Sequence, residues 1–213
     1  MNRTANSAVD VDARDGRRSR VRLELIFLVL IFVLPIVAAF VVFFLWQPTS
    51  FVHHGNLVEP VRPIQNVPLR TLDGREFQFA ALQPRWNLIY FVDGHCTDPC
   101  HNALFKINQV RLAQGKNVSR VNSVAIFAND AAQHAAAGIV ERYPGILALM
   151  GAPDSIRALA SQFASQHQLA DRMGYRLYVV DPLGNLIMSY PENADPTGIK
   201  KDLKRLLKAS QVG

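Results

Sequence analysis

The longest apolar stretch of the chain runs from Leu25 to Trp46, LIFLVLIFVLPIVAAFVVFFLW, without a charged or strongly polar side chain. As a helix it would extend about 33 Å, enough to cross the roughly 30 Å hydrocarbon core of a bilayer. Pro35 stands inside the run, where a membrane helix tolerates it, and Trp46 stands where an interfacial aromatic belongs. The apolar region of a signal peptide is normally about 7–15 residues and is followed by a small-residue cleavage site. This run is longer and lacks such a site, so the pattern predicts an uncleaved transmembrane anchor over residues 25–46.

Beyond the anchor the pattern shortens. QPTSFVHHGNLVEPVRPIQN (residues 47–66) is rich in Pro, Asn and His and predicts a linker over a domain surface. VPLRTLDGREFQF has two alternating segments around Asp73-Gly74 and predicts a hairpin. WNLIYFV (Trp86–Val92) is almost wholly apolar, as expected of a strand buried on both faces. A helix is predicted from Pro99 to Ala113, with Asp98 as its N-cap and Leu104, Ile107 and Val110 facing inward. RVNSVAIFA (120–128) and GILALM (145–150) predict two more core strands. Between them AAQHAAAG supports only a local helix or loop. DSIRALASQFASQ predicts a helix capped by Asp154. YRLYVVDPLGNLIMSY predicts two strands around a turn at 181–185. A last helix, Pro196–Ala209, is capped by Asp195. Strands alternating with helices call for a central sheet with helices on both faces.

Charge refines the picture. The 213 residues carry 23 Lys and Arg against 17 Asp and Glu. No basic block is interleaved with aromatics, which argues against a nucleic-acid partner. Arg14, Arg17, Arg18, Arg20 and Arg22 crowd one side of the apolar run, and no Lys or Arg follows it until Arg62. By the positive-inside rule residues 1–24 are cytoplasmic and everything after about residue 47 lies outside. The polar residues 1–24 predict a disordered tail, and residues 67–213 form the folded domain.

That domain holds the chain's two cysteines, Cys96 and Cys100, in LIYFVDGHCTDPCHNAL. The proline between them starts the helix there, leaving Cys96 on the loop and Cys100 in the first turn. Helix N-terminal amides favour a thiolate. Thiolates serve disulfide exchange and soft-metal ligation alike, so the spacing leaves a redox pair, a metal claw and a structural crosslink all open. A thiol pair at the end of the first core strand, opening the next helix, is the thioredoxin-like arrangement. The fold class is therefore α/β, thioredoxin-like, with an N-terminal transmembrane helix.

With its anchor, LIYFVDGHCTDPCHNAL and LYVVDPLGNLIMSY, the chain resembles the Sco/SenC family over roughly residues 64–208. Those proteins help assemble the copper centre of haem-copper cytochrome oxidases. The family motif is an apolar strand, then Gly-Phe-Thr/Ser-x-Cys-Pro-x-x-Cys-Pro, with an Asp-Pro-x-Gly turn after a strand that carries a histidine ligand. Here proline precedes the second cysteine, and the position of the copper-binding histidine falls on Met173. The resemblance implies Cys96 and Cys100 as Cu(I) ligands or redox pair. Met173, His95 and His101 are candidates for a third ligand; His53 and His54 are weaker ones, and His167 reads as the exposed end of a helix. Met173-Gly174 also stands where thioredoxin-type oxidoreductases place a proline facing their dithiol.

The implied function is a membrane-anchored cytochrome c oxidase assembly factor, delivering Cu(I) or reducing copper-site thiols. It would be a metallochaperone or thiol-redox factor more than a turnover enzyme. Its partners would be an oxidase subunit or other assembly factors, and its place a bacterial inner membrane with the domain in the periplasm. The alternatives are a general thiol–disulfide oxidoreductase, with Cys96 as nucleophile and Cys100 as resolving thiol, and a non-catalytic docking module with a structural disulfide.

Overall fold

The structure, a computed structural model, describes residues 6–45, 53–164 and 176–210. It divides into two compact units, Met1–Phe51 and Val52–Gly213.

Among the described residues the first unit is one helix, α1 (Asn6–Leu45), with Pro35 inside it. Its stretch Arg22–Val42 has a mean hydropathy of 3.3 and is long and apolar enough to cross a membrane. Helix also covers Asn6 to Glu24, where the polar composition predicts a disordered tail. The reason is cooperativity. Once the apolar segment is helical, each residue added to its N-terminal end escapes the cost of nucleation.

The second unit is built on one eight-stranded sheet. In chain order it contains β1 (Asn56–Pro63), β2 (Pro68–Thr71), β3 (Glu76–Gln78), β4 (Trp86–Val92), α2 (Asp98–Leu112), β5 (Val121–Phe127), α3 (Asp130–Arg142), β6 (Ile146–Met150), α4 (Pro153–Phe163), β7 (Arg176–Val180), β8 (Asn185–Pro191) and α5 (Pro196–Ala209). Short 3-10 turns lie at Phe79–Leu82 and Gly115–Arg120. The spatial order is β1-β8-β7-β4-β5-β6-β2-β3. β4, β5 and β6 run parallel and the outer pairings are antiparallel.

Every residue of β4 is buried, as its continuous apolar pattern predicts. The period-two alternation of a strand then divides its side chains between two cores. Trp86, Leu88, Tyr90 and Val92 face the larger one, with α2, α3 and α5. Ile89 and Phe91 face the other, with α4 and the β2–β3 hairpin. There Phe163 makes edge-to-face contacts with Phe91 and Tyr178, each with centroids 5.1 Å apart, an arrangement that adds to the gain from area burial.

Several predicted elements change. The predicted linker 47–66 contains β1, an edge strand that pairs Asn56 with Ser189 and Pro63 with Asn185. Prolines are tolerated at a sheet edge, where no further strand needs their missing N–H. Val58 and Ile64 supply burial against the smaller core. The Ala-rich stretch forms a full helix, α3, that turns Ala132, Ala136 and Ile139 onto the sheet. Asn129 caps it by accepting from the Ala132 N–H at 2.9 Å. Asp98 and Asp154 lie inside their helices and are not caps. Thr97 and Ala152 hold those positions without a side-chain bond, and Asp154 pairs with Arg157 at 3.0 Å. α4 ends at Phe163, and the rest of its predicted length, from residue 165, is outside the described residues.

Two local predictions hold. Asp195 caps α5 by accepting from the Thr197 N–H at 2.9 Å. Asp181 closes its turn by accepting from the N–H groups of Leu183 (2.9 Å) and Asn185 (2.8 Å). Gly184 has φ +88° in that turn, a conformation open to glycine at little cost.

Candidate functional site at the cysteine end of the sheet

β4 delivers the chain to the site. Its carboxyl end at Val92 leads into Asp93-Gly94-His95-Cys96-Thr97, and α2 begins at Asp98. Gly94 has φ +69°, which lets the loop reverse before the helix. Cys96 and Cys100 are joined by a disulfide, with Cα atoms 5.2 Å apart. Cys100, in the first turn, is 8% exposed and belongs to the larger core. Cys96, on the loop, is half-buried and packs against that core from outside. The loop sulfur is therefore on the solvent side of the pair. The first α2 turn closes through the His101 N–H donating to the Thr97 carbonyl at 2.9 Å. After reduction, the remaining free amides of that turn favour a thiolate.

The surroundings of this end come from distant parts of the chain. β7 starts and β8 ends here, with Leu177 opposite Tyr90 and Arg176 opposite Pro191. The Tyr90 hydroxyl donates to Glu192 Oε1 at 3.0 Å. Lys106 of α2 donates to the carbonyls of Glu192 (2.5 Å) and Ala194 (2.7 Å), tying the β8–α5 connection to the cysteine-bearing helix. Partial burial pulls the Lys106 ammonium below its ordinary pKa, and the charges of Glu192 and Asp195 oppose that shift. On the other flank Asn129 Nδ2 donates to Asp93 Oδ1 at 2.6 Å.

The histidines divide. His95 is exposed on the loop. His101 turns its ring to Tyr143, whose hydroxyl lies 3.2 Å from the His101 carbonyl and 3.3 Å from Nδ1. A carbonyl only accepts, so the hydroxyl donates to it and takes the Nδ1–H as donor. Among the described residues, no third His, Cys, Asp or Glu joins the cysteines in a group able to hold a metal. Met173 and His167 lie outside the described residues.

His54 has a different setting, well away in sequence. Its backbone N–H donates to Asp202 Oδ2 at 2.8 Å and its Nδ1 lies 3.1 Å from Oδ1. The Tyr190 hydroxyl adds a third bond to the same carboxylate, at 3.1 Å. Asp202 is 2% exposed, so the three donors replace its lost water. The close fit needs two glycines. A Cβ on Gly55 would stand 2.5 Å from the Tyr190 ring, and one on Gly198 would stand 2.8 Å from His54. Burial, together with the Asp202 charge, raises the Tyr190 pKa far above its ordinary value. This cluster is a clasp between the first described residues of the domain and α5.

A disulfide set between the carboxyl end of a central parallel strand and the first turn of the next helix defines a protein of the thioredoxin-like class. The chain belongs to the family described as transmembrane-like, thioredoxin-like, C-terminal domain, which matches residues 86–210. It is also 24% identical over 153 residues to the mitochondrial SCO1 homolog 1 of Arabidopsis thaliana. That match covers 64% of this chain and 46% of the plant protein, so the chain spans about half the length of this curated relative. Among solved structures it is similar to copper-bound Bradyrhizobium japonicum ScoI, with TM-score 0.55, 22% identity, and coverage of 68% of this chain and 99% of that one. It is similar too to BsSco, a member of the Sco family of cytochrome c oxidase assembly proteins in which a disulfide switch is identified. The TM-score there is 0.53 and the identity 16%, over 70% of this chain and 95% of that one. These likenesses establish that the domain has the Sco fold.

Proposed function

We propose that this chain is a membrane-anchored cytochrome c oxidase assembly factor that works through Cys96 and Cys100, delivering Cu(I) or reducing the thiols of a copper site. The observation that carries the reading is the disulfide itself, set across the start of α2 on a Sco fold. Reduction frees two sulfurs already held close, one on the loop and one at a helix N-terminus. Soft thiolates at that distance suit Cu(I). Copper is here the cargo. Met173, three residues before the start of β7, is the proposed third donor, as a thioether. The relatives support the reading, since one is solved with copper and another is an oxidase assembly protein with a disulfide switch.

We place residues 25–46 in a bacterial inner membrane, with the basic residues 14–22 cytoplasmic and the domain periplasmic. The charge asymmetry around the apolar run supports that orientation. An oxidase subunit or a fellow assembly factor is the proposed partner.

The disulfide equally favours a second reading, reduction of a target's cysteines. The Cys96 thiolate attacks one sulfur of the target disulfide and forms a mixed disulfide, and the target's other sulfur leaves as a thiolate. The Cys100 thiolate then attacks Cys96 Sγ and releases the target's second thiolate. Two electrons pass to the target, its sulfurs take two protons from water, and the chain ends with the Cys96–Cys100 bond seen here.

The deciding experiment is a Cu(I) competition titration on the reduced full chain in detergent micelles, beside Cys96→Ser/Cys100→Ser. Binding of one ion that the double variant loses establishes the delivery reading, and Met173→Ala then weakens it. Absence of binding sinks delivery and leaves the thiol-reducing reading, checked by trapping a mixed disulfide with Cys100→Ser.

A further inference from the structure

The cysteine segment, residues 93–101, is held at both ends by one helix. At its first end Asn129, the N-cap of α3, donates to Asp93 at 2.6 Å while its Oδ1 caps the helix. At its other end Tyr143, the C-cap of α3, donates to the His101 carbonyl at 3.2 Å and faces the ring. Tyr143 is buried, and its own N–H donates to the Ile139 carbonyl at 2.9 Å, so the last helical hydrogen bond of α3 anchors its backbone. Between the two caps Ala132, Ala136 and Ile139 seat α3 on the same core that receives Cys100.

We propose that α3 is a strut for the thiol site, with Asn129 and Tyr143 as positioning residues that keep the two cysteine sulfurs close when the disulfide is open. The proposal rests on the reading of Cys96–Cys100 as a reversible dithiol. Its physical basis is entropic. In the disulfide a covalent ring holds residues 96–100 in place, whereas in the dithiol the two contacts from α3 join the first α2 turn and the core packing of Cys100 in restraining the segment. Each freed backbone residue gains about 1–2 kcal/mol of conformational entropy. Loosening the strut therefore favours the dithiol and makes the disulfide easier to reduce. A contact that served stability alone would affect both redox states equally.

The test equilibrates the full chain in detergent micelles with mixtures of reduced and oxidised glutathione. Two glutathione thiols supply two electrons and two protons to the Cys96–Cys100 bond, giving two cysteine thiols and one glutathione disulfide. The dithiol fraction is read by alkylation and mass. Tyr143→Phe removes the hydroxyl and keeps the ring. Asn129→Asp keeps a good helix cap and sets a carboxylate against Asp93. Each variant is expected to lower the effective concentration of the cysteine pair about fivefold, the equilibrium equivalent of one ordinary hydrogen bond. The double variant is expected to lower it about twenty-five-fold, since the two contacts lie at opposite ends of the segment. Melting temperatures that fall while the glutathione equilibrium stays at the wild-type value would overturn the strut. A wild-type disulfide that resists every glutathione ratio would instead overturn the dithiol reading, and the strut with it.

Discussion

Two polar regions of the domain have opposite characters. Around Asp202 the carboxylate is 2% exposed, and His54 and Tyr190 close it off with three short contacts. At the cysteine end Cys96 is half-buried, His95 is exposed and Asp93 is exposed with one side-chain contact. The first region has satisfied its polar groups internally, so what remains for it to do is hold structure. The second leaves the loop sulfur of Cys96 on the solvent side, with Cys100 buried beneath it, and relies on neighbours to hold the backbone. A titratable cluster is thus a poor guide to function until its partners are counted. Asp202 is buried, and its oxygens already face His54, Tyr190 and, at 3.9 Å, Arg205.

The largest effect on stability is expected from Asp202→Ala, which leaves the Tyr190 hydroxyl and the His54 N–H without their acceptor at about 1–3 kcal/mol for each donor stranded. Denaturant unfolding measures that loss, and the glutathione equilibrium of the cysteines is expected to stay at its wild-type value. A shift in both would mean that the two regions are coupled. Next comes Cys96→Ser/Cys100→Ser. Its disulfide closes so short a ring that its loss costs only about 2 kcal/mol, while Cu(I) binding and thiol exchange vanish together. A much larger stability loss with cell-borne oxidase activity intact would turn the site into a structural staple. Gly198→Ala puts a Cβ against His54 and is expected to cost about 1–2 kcal/mol, overpacking being partly offset by better helix propensity. A neutral outcome would show that the clasp yields easily.

The smallest effect concerns Asp195. The Thr197 N–H holds its carboxyl below the ordinary carboxylate range. The ionised cap therefore contributes stability at neutral pH, and that contribution is lost as pH falls through the lowered pKa. Asp195→Ala is expected to lower the melting temperature slightly at pH 7 and to match the wild type in strong acid. A difference that persists in acid would assign the effect to packing.

Features governed by neighbours in sequence were legible. The anchor-length apolar run, the buried strand β4, the Asp73-Gly74 hairpin, the Asp181 turn and the Asp195 cap all depend on residues a few positions apart. The cysteine pair belongs with them, because a proline between two thiols fixes where the helix begins. Caps were harder to place, and Asp98 and Asp154 fell one and two residues inside their helices. A signal for α3 was present in Asn129-Asp130 before the alanines, a cap and a first-turn acid ahead of strong helix formers.

Local sequence is enough to specify the inventory of elements. It set an apolar helix of membrane length, the alternation of strands and helices, and two sulfurs placed across a helix start. These follow from the side-chain period and local backbone preference, which act over one or two turns of chain. Which residues meet depends instead on how whole elements pack. β1 became a strand because β8 offered it an edge, and the Asn129–Asp93 and Tyr143–His101 contacts span 36 and 42 residues. His54 and Asp202 are 148 residues apart and meet because two glycines let α5 and the domain's first residues close on each other. Such contacts carry no periodic signature, since each depends on the packing of whole elements brought together by the sheet.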